Sequence, residues 1–161
     1  MPGGPPRAPF ADWPVQLSTP HGYVWYTDPG VMITQAHIAH ADLASVLPMS
    51  GYTDALFQLK RDELAKLGGL LIIHDWRAVK SYDSDTRKHL IKRVQDRKRG
   101  LVRGVIIAVS LNPFLRTAVQ VASAIMSATT GARLQMVDSL SPALIEHHVQ
   151  VPHPSARFPG F

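Results

Sequence analysis

The chain has 161 residues, of which 45% are hydrophobic and 18% are charged, a composition typical of one globular domain with a sizeable core. It contains no cysteine, which excludes disulfide bonds and thiolate metal sites. No apolar run is long enough to span a bilayer, and the first 20 residues lack the pattern of a signal peptide. We therefore expect a soluble cytoplasmic protein.

The formal net charge of +5 is concentrated in one segment. Residues 87–103 contain eight Lys or Arg residues and a single acid, Asp96. Positive charge that is localised in this way favours binding to a specific acidic surface over general stickiness.

The first elements are a leader and a hairpin. Residues 1–20 contain six prolines and two glycines without periodicity, which predicts a flexible leader. Residues 21–27 and 31–36 are rich in β-prone residues, and Asp28-Pro29-Gly30 between them predicts a turn.

Helices are predicted next. Residues 39–47 predict a short helical turn that Pro48 ends, and residues 53–67 predict a helix capped by Thr53. The continuous apolar run at residues 70–73 predicts a central strand that is covered on both faces.

The second half of the chain continues the alternation. A helix at residues 84–99 is followed by a buried strand at 101–110. Asn112-Pro113 is a typical helix start, and this helix is predicted to run to Gly131. Arg133–Val137 predicts the last strand, and Ser139 or Ser141 is expected to cap a short helix that ends near His148.

The resulting order is β-β-α-β-α-β-α-β-α. It predicts a single α/β domain with a mixed, mostly parallel sheet of about five strands packed with about four helices. The domain is expected to span residues 21–149, and residues 150–161 predict an extended proline-rich tail.

A polar segment joins the central strand to the basic helix, with the sequence DWRAVKSYDSDTR at residues 75–87. Its spacing resembles the signature D-L-S-x-V-x-F-M-D-S-S-G-L of STAS domains, the anti-sigma-factor-antagonist family. Asp75 matches the first acid, Val79 the apolar anchor and Tyr82 the bulky apolar position, while Asp83-Ser84 match the start of the D-S-S step. The motifs H-D-W-R and Y-D-S are similar to the divergent STAS-like or Sec14-like branch.

The resemblance implies a non-enzymatic regulatory or scaffolding domain, with one departure. In the signalling members the second serine of D-S-S is phosphorylated, and Asp85 occupies that position here. Ser84 is one residue away, which in the first turn of a helix means pointing about 100° elsewhere. We expect no conventional serine switch; Asp85 either serves only the helix terminus or holds a permanent negative charge.

The basic helix suggests a docking surface. On a helical wheel Lys88, Lys92 and Arg99 form an outward strip, with Arg93 to one side. Together with the turn they predict contact with a partner through the residues Asp83, Ser84, Asp85, Lys88, Lys92, Arg93 and Arg99. An acidic protein is the main expectation and an anionic lipid the alternative; no aromatic stacking, zinc spacing or helix-turn-helix pattern supports nucleic acid.

The Sec14-like branch implies an alternative function as a carrier or sensor of a small apolar or lipid-like ligand. An apolar cavity lined by Trp76, Tyr82 and residues of the helix that starts at Asn112, Phe114 among them, would favour it. That helix is predicted to bury Phe114, Leu115, Ala118, Val119, Ala122, Ile125 and Met126. Its outward face carries small side chains, which allows a homo-oligomer contact along residues 112–131.

Catalytic and cofactor motifs are absent from the sequence. His37, His40 and the pair His147-His148 have no further ligand at a metal-site spacing, so no metal or cofactor is expected. Asp85 and His89 lie one helical turn apart, but no G-x-S-x-G elbow accompanies them, and no catalytic residue is assigned.

Overall fold

The computed structural model describes residues 16–19, 21–27, 30–97 and 99–148. The strands are β1 (Gln16–Thr19), β2 (Gly22–Thr27), β3 (Val31–Ala36), β4 (His40–Ala41), β5 (Leu70–Trp76), β6 (Ser81–Tyr82), β7 (Val102–Val109) and β8 (Arg133–Val137). The helices are α1 (Leu43–Leu59), α2 (Arg61–Lys66), α3 (Ser84–Asp96), α4 (Pro113–Thr130) and α5 (Ser141–Glu146). No helix in the described part of the chain is long and apolar enough to cross a membrane.

Six strands form the main sheet in the order β1-β2-β3-β5-β7-β8. The pairs β1–β2 and β2–β3 are antiparallel, whereas β3–β5, β5–β7 and β7–β8 are parallel. The predicted fold class, a mixed and mostly parallel sheet packed with helices, is confirmed. The second strand and the turn at residue 30 form the predicted hairpin with β3.

Helices pack on both faces of this sheet because neighbouring side chains along a strand point to opposite faces. One face packs mainly against α1 and α4 through a cluster that includes Met32, Leu56, Ile72, Val105, Val119 and Met126. The other face packs against α5 through a cluster that includes Ile33, Ile73, Ile106, Leu140 and Leu144. The core therefore has two layers, one on each side of the central strands.

Strand β1 lies inside the segment that the sequence predicted as a flexible leader. Gln16–Thr19 pairs with β2 in register from Gln16 opposite Trp25 to Thr19 opposite Gly22. The prediction is therefore wrong for these four residues, because strand pairing supplies hydrogen bonds that local composition does not reveal. Residues 1–15 and the predicted tail at 150–161 lie outside the described residues.

Helix α1 contradicts the prediction that Pro48 ends a helical turn. The helix begins at Leu43 with Asp42 as its cap: the Ser45 amide donates to the Asp42 side chain (2.9 Å), and the Ser45 hydroxyl accepts from the Asp42 amide (3.0 Å). Pro48 lies in the second turn and the helix continues to Leu59, so Thr53 is an interior residue and no cap. Burial of Leu56 and other core residues outweighs the one amide that proline lacks.

Two short strands that the sequence did not predict fix the segment before α3. Strands β4 and β6 pair in parallel, and the Lys80 amide donates to the Ala39 carbonyl (2.7 Å). This small sheet holds the turn at residues 77–83 against the start of α1.

The structure also tests the predicted ends of α3, α4 and α5: those of α3 and α5 differ from the prediction, and those of α4 agree with it. Helix α3 ends at Asp96 and not at residue 99, and α5 has Leu140 at its N-cap without a side-chain cap, so neither Ser139 nor Ser141 caps it. Helix α4 matches the prediction: the Asn112 side chain accepts from the Phe114 amide (2.9 Å), and Gly131 ends the helix with φ +70°.

Candidate functional site

A cavity of about 630 Å³ lies between the main sheet and helices α1, α3 and α4. The sheet contributes the side chains of β3, β5 and β7 that point to this face, and most of the lining is apolar. Representative lining residues are Met32, Thr34, His74, Trp76, Ile107, Met49, Leu90, Val94, Phe114, Ala118 and Ala122.

Small side chains on the surrounding elements account for the empty space. Helix α1 turns Ser45 and Ser50 toward the cavity, and α4 turns Ala118 and Ala122 toward it. Larger side chains at these positions would fill the space as they do in a normally packed core. The cavity is thus a consequence of which residues the helices carry on their inner faces.

The three predicted pocket residues, Trp76, Tyr82 and Phe114, all line this cavity. Trp76 packs beside His74 with ring centroids 5.3 Å apart, and Tyr82 packs beside Phe114 at the same separation. The structure therefore places these three residues together in the lining of one cavity.

Phe114 lies at the rim of the cavity. Its exposure is 54%, so the prediction that it is buried in the core stripe of its helix is wrong, whereas Leu115, Val119 and Met126 of that stripe are buried. Val121, which also lines the cavity, is 48% exposed. These two exposed lining residues mark α4 as the side on which the cavity opens to solvent.

His74 is the titratable side chain on the sheet wall of the cavity. The Thr34 hydroxyl is hydrogen bonded to its Nδ1 atom (2.5 Å). Burial, together with the positive charges of Arg97 and Arg93, lowers the pKa of His74 to about 3. The imidazole is therefore neutral at physiological pH and presents a polar but uncharged group.

Two arginines of the basic segment, Arg93 and Arg97, turn inward at the C-terminal end of α3. Arg93 is only 15% exposed, and its Nη1 donates to both carboxylate oxygens of Asp54 on α1 (2.7 Å each). Arg97 lies one turn further on; its Nε and Nη1 atoms are shielded from solvent and have no hydrogen-bond partner. Burial lowers the pKa of Arg97 to about 10, and the charge of Arg93 lowers it further than Asp54 can offset. Arg97 nevertheless stays protonated at neutral pH.

A partly buried ion pair lies on the opposite face of the sheet. The Arg77 guanidinium donates to both oxygens of Asp75 (2.9 Å each), and the Gln35 amide donates to the same carboxylate (3.2 Å). Burial raises the pKa of Asp75, but the hydrogen bonds and charge of Arg77 and the bond from Gln35 outweigh it and hold that pKa below its usual value. The first acid of the motif therefore fixes the end of β5 and does not face the cavity.

The predicted docking residues lie mostly on the outer surface. Asp83 is the N-cap of α3, with its carboxylate accepting from the Thr86 amide (2.8 Å). Ser84, Asp85, Lys88, Lys92 and Arg99 are exposed. Lys88 is 3.6 Å from Asp85 and Lys92 is 2.6 Å from Asp96, so two of the three strip cations have an acid on the same helix.

A solved structure resembles this arrangement over most of the chain. A protein of the DUF3478 family from Shewanella loihica PV-4, described as an uncharacterized protein with a SpoIIAA-like fold, superposes with a TM-score of 0.52 and 12% identity. The match covers 81% of this chain and 97% of that one. The protein has a SpoIIAA-like fold. No protein-family model and no curated protein matches the sequence.

The resemblance to STAS domains inferred from the motif is thereby confirmed at the level of the fold. Ligands and partners are inferred below from the residues of this SpoIIAA-like domain.

Other clusters suggested by the sequence are not assembled. Asp85 is paired with Lys88, whereas the Nε2 atom of His89 is hydrogen bonded to the Ser50 hydroxyl (3.0 Å). His37 and His40 have separate partners, Gln35 and Ser81 (2.8 Å each). Across the described ranges, no three His, Cys, Asp or Glu side chains gather closely enough to hold a metal ion.

The outward face of α4, predicted as a homo-oligomer contact, is only partly free. Arg116 forms an ion pair with Asp138, and the Ser123 hydroxyl donates to the Leu134 carbonyl (3.4 Å). Gln120, Ala124 and Ser127 are exposed. The oligomer contact stays a prediction.

Sequence reasoning missed the inward arginines of the SpoIIAA-like domain. On a helical wheel Arg97 falls beside the apolar stripe of Leu90, Ile91 and Val94, but this position gives no reason to expect that its Nε and Nη1 atoms are shielded from solvent. The available signal was the spacing of residues 87, 90, 91, 94 and 97 on one helix face, since all five line the cavity.

Proposed function

We propose that this SpoIIAA-like domain binds one molecule of a small, lipid-like ligand in the cavity between the sheet and helices α1, α3 and α4, and acts as its carrier or sensor. The observation that carries the proposal is the cavity itself. Its volume of about 630 Å³ falls within the roughly 300–1,000 Å³ of ordinary small-molecule sites.

The lining agrees with a binding role. Small-ligand sites in proteins combine a mainly apolar wall with a few polar groups that orient the ligand. Here the apolar wall comes from the sheet and from helices α1, α3 and α4. The polar side chains of the lining include Thr34 and His74 on the sheet, Ser45, Ser50 and Thr53 on α1, and Arg87, Arg93 and Arg97 along α3 and at its C-cap. A binding domain fits these residues better than an enzyme, because Asp85 and His89, the pair considered for hydrolysis, have separate partners.

The proposal is tested with the neutral apolar dye Nile red and a variant that fills the cavity. Ala122→Phe places a bulky ring in the cavity, whereas Ala124→Phe adds the same ring two residues away on an exposed position of α4. We expect the wild type and Ala124→Phe to bind one dye molecule per chain, and Ala122→Phe to bind at least about tenfold more weakly.

Circular dichroism of all three proteins establishes that the fold is retained. Equal dye binding by Ala122→Phe and the wild type would contradict the proposal, as would an absence of saturable binding to the wild type. Native mass spectrometry of gently purified protein gives a second readout, in which a copurified apolar molecule is expected.

Docking of an acidic protein through the outer face of α3 is the second candidate. Its support is that Ser84, Asp85, Lys88 and Lys92 of α3 and Arg99 after the helix are all exposed. The pairing of Lys88 and Lys92 with acids of the same helix reduces the free positive charge of this strip, and Arg93 is turned inward. Ligand binding in the cavity therefore has stronger support than docking of an acidic protein.

A further inference from the structure

The Nε and Nη1 atoms of Arg97 indicate the chemistry of one end of the ligand. These two atoms lie out of contact with solvent and donate to no group among the described residues. A charged donor in this state is costly unless an anion accepts its hydrogen bonds. Arg97 lines the cavity, so the missing acceptor would be reached from inside it.

The charges around Arg97 leave room for one negative charge. Arg93 on α3 and Arg97 at its C-cap are the cations of this helix that line the cavity at its C-terminal end, and Asp54 from α1 is engaged by Arg93 through both oxygens. Asp96 is paired with Lys92 on the outer side. His74, the other titratable group of the cavity near these arginines, is neutral at physiological pH. Among the described residues, Arg97 therefore has no acid hydrogen bonded to it.

Arg97 also lies where two cavities meet. A second cavity of about 480 Å³, lined by charged and polar residues such as Asp54, Gln58 and Arg61, shares Arg93 and Arg97 with the apolar one. An amphiphile that occupies the apolar cavity would thus have its polar end at this junction.

The apolar cavity follows α3 away from this junction. Arg87, Leu90, Ile91 and Val94 line it together with Arg97, and ten residues of helix span about 15 Å. The far end is bounded by Tyr82 and Phe114. This shape suits an extended alkyl chain.

We propose that Arg97 binds the carboxylate of a long-chain carboxylic acid whose alkyl chain occupies the cavity. The inference rests on the proposed ligand-binding function and adds the chemical class of the ligand. A carboxylate supplies the single negative charge that the site lacks, and the planar guanidinium can donate to both of its oxygens.

The test compares dodecanoate with dodecanol, which has the same chain and no charge, as competitors of Nile red. We expect dodecanoate to bind the wild type about tenfold or more tightly than dodecanol, as is typical of a charge-assisted hydrogen bond. In Arg97→Met, which keeps the unbranched stem of the side chain without the guanidinium, dodecanoate should fall to the affinity of dodecanol while dodecanol binding is unchanged.

Two further variants make the comparison specific. Arg99→Met removes a guanidinium from an exposed position of the same segment and should retain the wild-type preference. Arg97→Lys keeps the charge without the planar fork and should retain part of it, which covers the case in which Arg97→Met fails to fold.

The possible failures are distinguishable. Equal binding of dodecanoate and dodecanol by the wild type, or an equal loss of both in Arg97→Met, would overturn the carboxylate site while leaving the cavity as a ligand site. If dodecyl phosphate binds far more tightly than dodecanoate, the carboxylate assignment is wrong and a phosphate head replaces it. If neither chain displaces Nile red, or the dye does not bind, the proposed function falls together with this inference.

Discussion

His74 links the cavity to the pH dependence of stability. Its pKa is lowered to about 3 by burial and by Arg97 and Arg93, whereas an unfolded histidine has a pKa of about 6.5. Between these values the unfolded chain binds a proton that the folded protein excludes. Above the unfolded pKa, His74 therefore does not reduce the free energy of unfolding. Below that pKa the free energy of unfolding falls as the pH drops, by up to about 1.4 kcal/mol per pH unit.

We predict that His74→Gln removes this dependence. Glutamine keeps a polar group near the Thr34 hydroxyl but does not titrate. Between pH 7 and pH 5 the wild type should lose up to about 2 kcal/mol more than the variant, measured by urea unfolding at half-unit intervals. The other histidines are common to both proteins and cancel in the comparison. Parallel stability curves for the two proteins would show that His74 is protonated normally.

The ion pair at the end of β5 provides a second prediction. Asp75→Asn should lower the free energy of unfolding at pH 7 by about 1–3 kcal/mol, because Arg77 and Gln35 lose a charged acceptor. Since the pKa of Asp75 is lowered in the folded protein, this stabilisation is complete above an unfolded pKa of about 3.9 and is lost as the pH falls through the folded pKa.

Asp138→Asn is the matched control for that prediction. It removes an acid of the exposed pair with Arg116, which should change the free energy of unfolding by less than about 1 kcal/mol. Chemical denaturation at pH 7 and again near pH 3 measures both variants. A deficit for Asp75→Asn that does not narrow at the lower pH would contradict the assigned pKa direction.

At the scale of single residues, the sequence identified side chains whose roles depend on local order. Asp83 caps α3 and Trp76 lines the cavity at the end of β5, and both positions can be located from the chain alone, because capping residues and strand ends have local signals. The pairing of Arg93 with Asp54 could not be predicted, since it joins residues 39 positions apart. The state of Arg97 depends on the same tertiary contact.

Helix α3 has two faces that carry the two proposals separately. Its inner face lines the cavity through Leu90, Ile91 and Val94, and its outer face carries Lys88 and Lys92. Because residues on opposite sides of one helix do not touch, substitutions on either face can be interpreted independently.

We predict that charge reversal on the outer face separates docking from ligand binding. Lys88→Glu, Lys92→Glu and Arg99→Glu combined should abolish capture of an acidic partner from cell extract while Nile red binding stays within about twofold. Retention of partner capture would refute docking through this face. A triple Lys88→Gln, Lys92→Gln and Arg99→Gln variant distinguishes loss of attraction from new repulsion, and should lose part of the capture.

Elements with strong local signals were predictable and those set by pairing were not. Helix α4 was predicted at both ends from the Asn112-Pro113 start and Gly131, which are local capping signals. Strand β1 and the β4–β6 pair were missed because short strands depend on a partner that is distant in sequence. Helix α1 was divided incorrectly because tertiary packing outweighed the effect of Pro48.

At the scale of the whole molecule, the strand order explains why the apolar cavity lies on one face of the main sheet. From β3 through β5 and β7 to β8 the sheet advances in one direction, so right-handed connections place α1, α3 and α4 on the same face. Alternation of helices and strands made that layout predictable from the sequence. The size of the space beneath the helices was not predictable, because it depends on how closely three separately predicted helices approach the sheet.

A cavity of this size lowers the stability of the empty protein, since its lining residues lack contacts that a filled core would provide. We therefore predict that Ala122→Phe raises the free energy of unfolding by about 0.5–2 kcal/mol while it weakens ligand binding. Ala124→Phe, exposed on the same helix, should change neither quantity.

Urea unfolding monitored by circular dichroism measures the free energy of unfolding of both variants without ligand. In a second series, Nile red at about 100 times its dissociation constant should stabilise the wild type by about 2.7 kcal/mol. The dye should stabilise Ala122→Phe much less. If the filled variant is less stable than the wild type, helices α1 and α4 cannot accept the ring and the space is already packed; if it is more stable and still binds dye normally, the dye occupies another surface. Opposite changes in stability and binding from one substitution would indicate that the cavity is retained for an occupant at the expense of core packing.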